Sequence, residues 1–478
     1  MAEQTIRIYH TNDVHSRFTQ FARVVAYVKE NKHPEDMFLD GGDMCDLTHL
    51  IVEGTGGKGA IRIMQEAGID AIAVGNNEID LKHDWLEESS RLGLPMLACN
   101  VTDNEGNAIG DIKGSIIIEK AGVRFLVIGA APYYNREMKP NGFNEFSKMS
   151  NIMTTEPIQE IRGEIAKNEG KYDICLFLSH SGVDVDKFLM DKIPEIDFCL
   201  GGHSHSLYYD EKYNQVGMFG EHLGIVELTI QNKKIVKASS QILAMTEDGR
   251  ETVSRFENIE IGKIENLPEA DENVLKVIEE QDAIAEKNLS KPMYCVEKLE
   301  WDAKKESPMT NFIADALYKE YPCDFAFINA GIVEGGVEGD ISRKVLLQLS
   351  PSKLNPTRFP VKGEKFKRAV LHSLDEEFVS QSGRGPGVRG SILGTLGYSH
   401  NVQINMEPFE ICINGEILDE DREYNCMADD SLQRGTGYEE FKVPNAKAKF
   451  YDGFIRDLIE RNLTDKELIQ QAMKKRIE

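Results

Sequence analysis

With 478 residues, of which 41% are hydrophobic and 28% charged, the chain has the composition of an ordinary globular protein and is too long for one core, so two domains and a linker are expected. A formal net charge of -25 argues against nucleic acid or an anionic membrane as a partner; a phosphorylated ligand would need local cations to reverse the field. The opening MAEQTIRIYH has no signal-peptide pattern, no apolar run approaches a membrane span, and the eight cysteines form no CxxC pair, so a cytoplasmic protein with buried free thiols is expected.

In chain order, the first 230 residues alternate short apolar runs with helical patterns. TIRIYH, MFLD, AIAV, PMLAC, FLVIGA, DICLFL and DFCL read as buried strands. Between them, Phe21, Val24, Val25 and Val28 share one helical face, as do Ile158, Ile161 and Ile165. Such alternation predicts an α/β fold with largely parallel strands. SIIIEKAGVRFLVIGA reads instead as a β-hairpin, which makes the sheet mixed. GTGGKGA (54–60) lacks the spacing of a phosphate-binding loop and is expected to be a plain loop. Residues 1–245 are assigned to a first domain, the polar, acidic stretch 246–291 to a linker region containing one helix, and 292–478 to a second domain. The last opens with the helix MTNFIADALYKEY and the strand DFAFINAG.

Each of five strand-like runs is followed by potential ligands. TND-V-H brings Asp13 and His15, GGD brings Asp43, GNNE brings Asn76, SHSG brings His180, and GGHSH brings His203 and His205. Ligand sites in α/β sheets form beyond the carboxyl ends of strands, so these seven side chains are expected to converge. In extended backbone, residues two apart point the same way, which would aim Asp13 with His15 and His203 with His205. Seven donors exceed the needs of one zinc and suit two cations about 3.5–4 Å apart, with Asp43 as the natural bridge. His10 lies on the strand itself and is expected to pack there.

DVH, GGD, GNNE, SHSG and GGHSH in this order resemble the calcineurin-like dimetal phosphoesterases, and HTNDVHSRF resembles the 5′-nucleotidase/UDP-sugar hydrolase family among them. MTNFIADAL, FINAGIVEGG and RGTGYEEF extend the likeness to that family's C-terminal nucleotide-binding domain. The resemblance implies a four-layer αββα sandwich followed by a 5′-nucleotidase-type domain. It also implies that Asp13, His15, Asp43 and His205 hold one divalent ion, and Asp43, Asn76, His180 and His203 a second. Mixed N/O donors leave Mn, Zn, Co or Fe open. The implied activity is hydrolysis of phosphoester or phosphoanhydride bonds by a water activated between two ions. The implied substrate is a small phosphorylated molecule such as a nucleotide, a cyclic nucleotide or a nucleotide sugar. A metal- and nucleotide-binding regulator with vestigial activity is the alternative.

The chain departs from that family at two places. GNNEID carries Asn77 where the family has a histidine that assists the leaving group, while Asp80 keeps the accompanying acid. Asparagine donates a hydrogen bond but cannot give up a proton, and such help is typically worth roughly 10²–10⁴ in rate. His49 and His83 are the stand-ins to weigh, although a surface position is expected for both. The second departure is Val333, in Asn-Ala-Gly-Ile-Val (329–333), at the place of a phosphate-binding arginine. Asn329, Arg384, Arg389 and Tyr438 are therefore the substrate-binding candidates, with Arg343, Arg358 and Tyr398 behind them.

Overall fold

The computed structural model describes residues 3–142, 144–247, 256, 259–383, 388 and 390–478, with backbone alone for 293–296. The chain forms two units, Met1–Glu286 and Lys287–Glu478.

The first unit is built on two mixed sheets. One runs from edge to edge as Ile261–Gly262, Lys234–Ala244, His222–Gln231, Gln4–Thr11, Met37–Asp40, Ala71–Ala73 and Met96–Leu97. The other runs as Leu207–Asp210, Tyr213–Val216, Phe198–Leu200, Ile174–Ser179, Val123–Ala130 and Ser115–Lys120. Ser115–Lys120 and Val123–Ala130 form the expected hairpin. Its two-residue turn, Ala121 and Gly122, has φ of 49° and 74°, the left-handed pair whose twist suits adjoining strands.

Alternating side chains decide the layers. Ile6, Ile8, Leu39 and Ala73 of the first sheet meet Phe125, Val127, Leu176 and Leu178 of the second in a fully buried core. The intervening residues Leu126, Ile128, Cys175 and Phe177 point the other way, onto Ile161 and Leu189 of the helices Pro157–Lys167 and Val183–Lys192. On the outer face of the first sheet, Phe38 stacks on Phe21 of the helix Phe18–Asn31, centroids 6.4 Å apart. The result is an αββα sandwich. Gln4–Thr11, Met37–Asp40 and Ala71–Ala73 are mutually parallel, as are Ile174–Ser179 and Phe198–Leu200. Within each sheet the loops that follow these strands therefore emerge at one edge.

GTGGKGA is not a loop, contrary to expectation. Gly54 and Thr55 close the helix Leu50–Thr55, and Lys58 opens the helix Lys58–Ala67. Only Gly56 and Gly57 break the chain, at φ of 60° and 80°. Gly54 faces the helix Glu272–Leu289, which lies within the 246–291 stretch; a Cβ on Gly54 would stand 2.6 Å from the Cα of Ala285. The Asp271 amide donates to the Ala22 carbonyl at 3.0 Å, tying down the start of that helix.

In the second unit a five-stranded sheet runs Leu396–Tyr398, Phe325–Asn329, Glu423–Asp429, Pro356–Lys362 and Lys449–Phe450. Ala326 and Ile328 face the helix Pro308–Glu320 through Phe312 and Ile313. Phe325 and Phe327 face an aromatic cluster with Phe359, Phe366, Tyr398 and Phe441. Among the described residues seven cysteines are free thiols, four of them buried, so packing rather than disulfides holds both units. No described helix is long and apolar enough to cross a membrane.

Gly54→Val is expected to destabilise the seat of Glu272–Leu289 by about 1–3 kcal/mol, because backbone must move to admit the side chain. Hydrogen exchange should read this as faster amide exchange confined to that helix and to Leu50–Thr55; unchanged protection would refute the close contact.

Candidate metal centre

The seven donors expected from the sequence come together at the loops following five strands. Around the Asp13 carboxylate, Oδ1 lies 3.2 Å from His205 Nε2, 3.6 Å from His15 Nε2 and 3.7 Å from His180 Nε2. His15 Nε2 and His205 Nε2 face each other at 3.0 Å. Asp43 reaches both sides, with Oδ1 at 3.2 Å from His180 Nε2 and Oδ2 at 3.9 Å from His15 Nε2. The ring of His203 packs edge-on against His180, centroids 5.3 Å apart, and its Nδ1 meets Asn76 Oδ1 at 2.8 Å. Asp13, His15 and His205 form one cation-sized group of donors, and Asp13, Asp43 and His180 another.

The backbone achieves this convergence differently from the extended geometry expected. Asp13, His15, Asp43, His203 and His205 have φ of 52°, 45°, 57°, 72° and 54°, all left-handed. The reason lies in how the loops pair. Asp13, His15 and Ser16 donate their amides to the carbonyls of Gly42, Asp43 and Met44, each at 2.9 Å. Two loops thereby zip together beyond the sheet, and the left-handed residues turn the side chains inward. Non-glycine residues in this region cost roughly 1–3 kcal/mol each and persist only where the surroundings hold them.

Glycine allows the close approach. A Cβ on Gly75 would lie 2.2 Å from Asp43 Oδ1, and one on Gly202 would lie 2.7 Å from His180 Nδ1. Glu78, quoted in GNNE but given no role above, is the hub behind the site. Fully buried, it accepts from the amides of Asp43, Cys45 and Gly75 at 2.8, 2.9 and 2.9 Å. Its signal was available, since a Glu three residues beyond a helix-starting glycine is the acidic half of a capping box. Asn12 and Gly41 carried no such signal. Asn12 donates to Asp13 Oδ2 at 2.7 Å, and the Gly41 carbonyl accepts from His180 Nδ1 at 2.6 Å, which turns Nε2 toward the carboxylates.

The electrostatics call for a cation. Burial alone would depress His180, but the carboxylates of Asp43 and Asp13 outweigh it and raise its pKa to about 10. Burial opposes ionisation of Asp13 and Asp43, yet the surrounding imidazoles, His180 foremost, hold both well below the usual carboxylate range. His203, desolvated and beside His180, falls to about 4 and stays neutral. Two donor atoms, Asp13 Oδ1 and His180 Nε2, are buried without a hydrogen-bond partner. Orphaned donors, deprotonated carboxylates and neutral imidazole form a set that fits divalent cations, which compete with protons for the same atoms.

The remaining candidates divide. Asn77 is buried and donates its side-chain amide to Asp43 Oδ2 at 2.6 Å and its backbone amide to Asp43 Oδ1 at 2.8 Å. Asp80 closes the short helix Asn76–Ile79. His10 packs as expected, fully buried on the Gly201 carbonyl at 3.0 Å. His49 caps the helix Leu50–Thr55 through Nδ1, and His83 pairs with Asp84. Tyr438 is corrected: fully buried, it packs against Phe378 and Phe441 and donates to the Gly394 carbonyl at 2.9 Å, so no face is open to a ligand. Tyr398 is equally buried, with its hydroxyl 2.9 Å from that of Ser373. Asn329, 7% exposed, donates to the Leu393 carbonyl at 2.7 Å. Arg343 is engaged by Asp457 and Glu460. Arg384 and Arg389 lie outside the described residues.

Residues 6–207 match the family model of the calcineurin-like phosphoesterases, and residues 293–443 that of the 5′-nucleotidase C-terminal domain. A metallophosphoesterase of Bacillus subtilis (strain 168), YunD, of uncharacterised function, is 26% identical over 96% of this chain and 98% of its own. A 5′-nucleotidase of Diplobatis ommata is 25% identical, over 48% of this chain and 47% of its own length. Among solved structures, the NAD nucleotidase of Haemophilus influenzae superposes with a TM-score of 0.62 over 97% of both chains at 15% identity, a likeness of fold.

Mn²⁺ or Zn²⁺ at about 100 times its Kd should stabilise the first unit by about 2.7 kcal/mol. Asp43→Asn, which keeps the shape and removes the charge, should abolish most of that gain. Thermal denaturation with metal analysis checks both; stabilisation that survives in Asp43→Asn would place the ion elsewhere.

Proposed function

The chain belongs to the calcineurin-like phosphoesterases that carry a 5′-nucleotidase C-terminal domain, and from that premise we propose that it hydrolyses small phosphate compounds whose leaving group needs no proton from the protein. Metal-dependent phosphoester hydrolysis follows from the family. The finer reading concerns the number of ions, the roles of individual residues and the substrate. Two divalent ions shared through Asp43 would lower the pKa of a water and neutralise the phosphoryl oxygens.

One observation carries the reading: Asp43 faces His15 on one side and His180 on the other, while residue 77 engages both of its oxygens. Asp13, His15 and His205 would hold one ion; His180, His203 and Asn76 would complete the other. His180 would present Nε2 because Gly41 fixes its opposite nitrogen. Asn77 would orient the shared carboxylate and has no proton to give. Alkyl monoesters, whose leaving alkoxide is strongly basic, would suffer most from that. Nucleoside diphosphates and aryl phosphates, whose leaving groups are weakly basic, would suffer least. The 5′-nucleotidase and NAD nucleotidase names of the relatives support nucleotides as the substrate class.

Asn77→His is expected to raise kcat/KM for alkyl monoesters such as AMP by about tenfold or more and to leave nitrophenyl phosphate within a few-fold, because only the former gains from general acid help. Steady-state kinetics on both substrates decides; equal effects on the two would defeat the leaving-group argument. Tight nucleotide binding with no turnover on any phosphate compound would favour a regulator instead.

A further inference from the structure

Beside the metal centre, within the first unit, lies a cavity of about 240 Å³ that ends on His203. Its walls come from the loop after Val123–Ala130 and the segment after His180. One wall is the start of the helix Val183–Lys192, ten residues long, whose N-cap is Gly182; its first amide, that of Val183, donates to Ser204 Oγ at 3.4 Å, and Ser204 also lines the cavity. Gly182, Val183, Asp184 and Val185 all line the cavity, so the first turn of that helix, with its outward N–H groups and positive dipole end, borders the space.

Four further residues favour an anion there. Ser181, immediately after the metal-site His180, is 3% exposed and lines the cavity, yet its hydroxyl has no hydrogen-bond partner. Such a buried hydroxyl costs free energy unless a ligand or water satisfies it. Arg136 lines the cavity with a side chain 69% exposed; among the described residues its one close carboxylate is Asp184, at 3.9 Å from Nε, beyond hydrogen-bond distance. Asn135 and Asn141 add amides at the same wall. The space is small for a nucleoside but roomy enough for one tetrahedral anion and its hydration. Asp184 opposes an anion, and Arg136 is the group placed to offset it.

We propose that this cavity is a subsite for a second anionic group of the substrate, so that the protein prefers molecules with two adjoining phosphates, such as nucleoside diphosphates, over monophosphates. The inference rests on the phosphoesterase reading only in taking the metal centre as the seat of the first phosphoryl group. Arg136 and Ser181 are its specificity-determining residues, and the helix start supplies the backbone donors.

The test is calorimetric titration of the full chain, loaded with Mn²⁺, with methylenediphosphonate and with methylphosphonate, neither of which can be hydrolysed. The affinity ratio, diphosphonate over monophosphonate, is expected to fall about tenfold in Arg136→Ala and several-fold in Ser181→Ala, and to rise in Asp184→Asn, which removes the opposing charge. Arg136 is exposed and the Ser181 hydroxyl has no partner, so neither change threatens folding. A ratio within twofold of wild type in both Arg136→Ala and Ser181→Ala overturns the subsite. Because the readout is binding, a protein that hydrolysed nothing would count against the catalytic reading while leaving this ratio measurable.

Discussion

Two buried carboxylates, Asp13 and Asp43, set the terms for everything around them. Placing two anions within one desolvated pocket is costly, several kcal/mol per ion even after relaxation. The surroundings answer with hydrogen-bond donors to both carboxylates. Asp13 Oδ2 accepts from Asn12 and from the His203 amide at 2.7 and 2.8 Å. Asp43 accepts twice from residue 77, and Glu78 anchors the Asp43 amide from behind. Asp13 Oδ1, which has no such donor, and the imidazoles around it define where positive charge belongs.

That arrangement is possible only because the fold is indifferent to it. The core between the sheets is closed by fully buried aliphatic and aromatic side chains. Rigid strands end at a common edge, and the loops beyond can then hold left-handed residues at five of the seven donor positions. Strain of this kind clusters at functional sites because a well-packed scaffold over-determines it. The glycines at 75 and 202 belong to the same economy of space: each leaves room for a carboxylate or an imidazole where a side chain would collide.

What could be read from the sequence follows from this division. The donors were visible because each follows a strand and because carboxylate, amide and imidazole announce their chemistry by type. An α/β fold was foreshadowed by the alternation of apolar runs and helical patterns, its αββα layering by the family resemblance, and the hairpin by its turn. Backbone conformation was not visible: nothing in TNDVH shows that Asp13 and His15 turn left-handed, since this depends on amides reaching the carbonyls of Gly42 and Asp43 from a distant loop. GTGGKGA misled for a related reason. Its glycines serve two ends, a chain reversal at Gly56 and Gly57 and a close helix contact at Gly54, and only the tertiary contact with Ala285 separates them. Tyr438, a substrate-binding candidate through the family resemblance alone, is core because of long-range packing with Phe378 and Phe441.

Asn77 connects the site's architecture to its chemistry. A side chain at this position can serve either the leaving group or the Asp43 carboxylate. Here the amide donates to Asp43 Oδ2, and His49 and His83, the imidazoles that could have supplied a proton, are engaged in a helix cap and a surface pair. The burden of stabilising the departing oxygen then shifts to the substrate. A leaving phosphate carries its charge on several oxygens and has a conjugate acid far stronger than an alcohol, so it departs without a proton from the protein. Such a substrate brings a second anion, and the cavity bounded by Arg136, Ser181 and the start of Val183–Lys192 lies where that charge would meet the donors it requires. On the proposed reading, the absence of an acid at residue 77 and the adjoining cavity would favour the same bond, a phosphoanhydride rather than a simple ester.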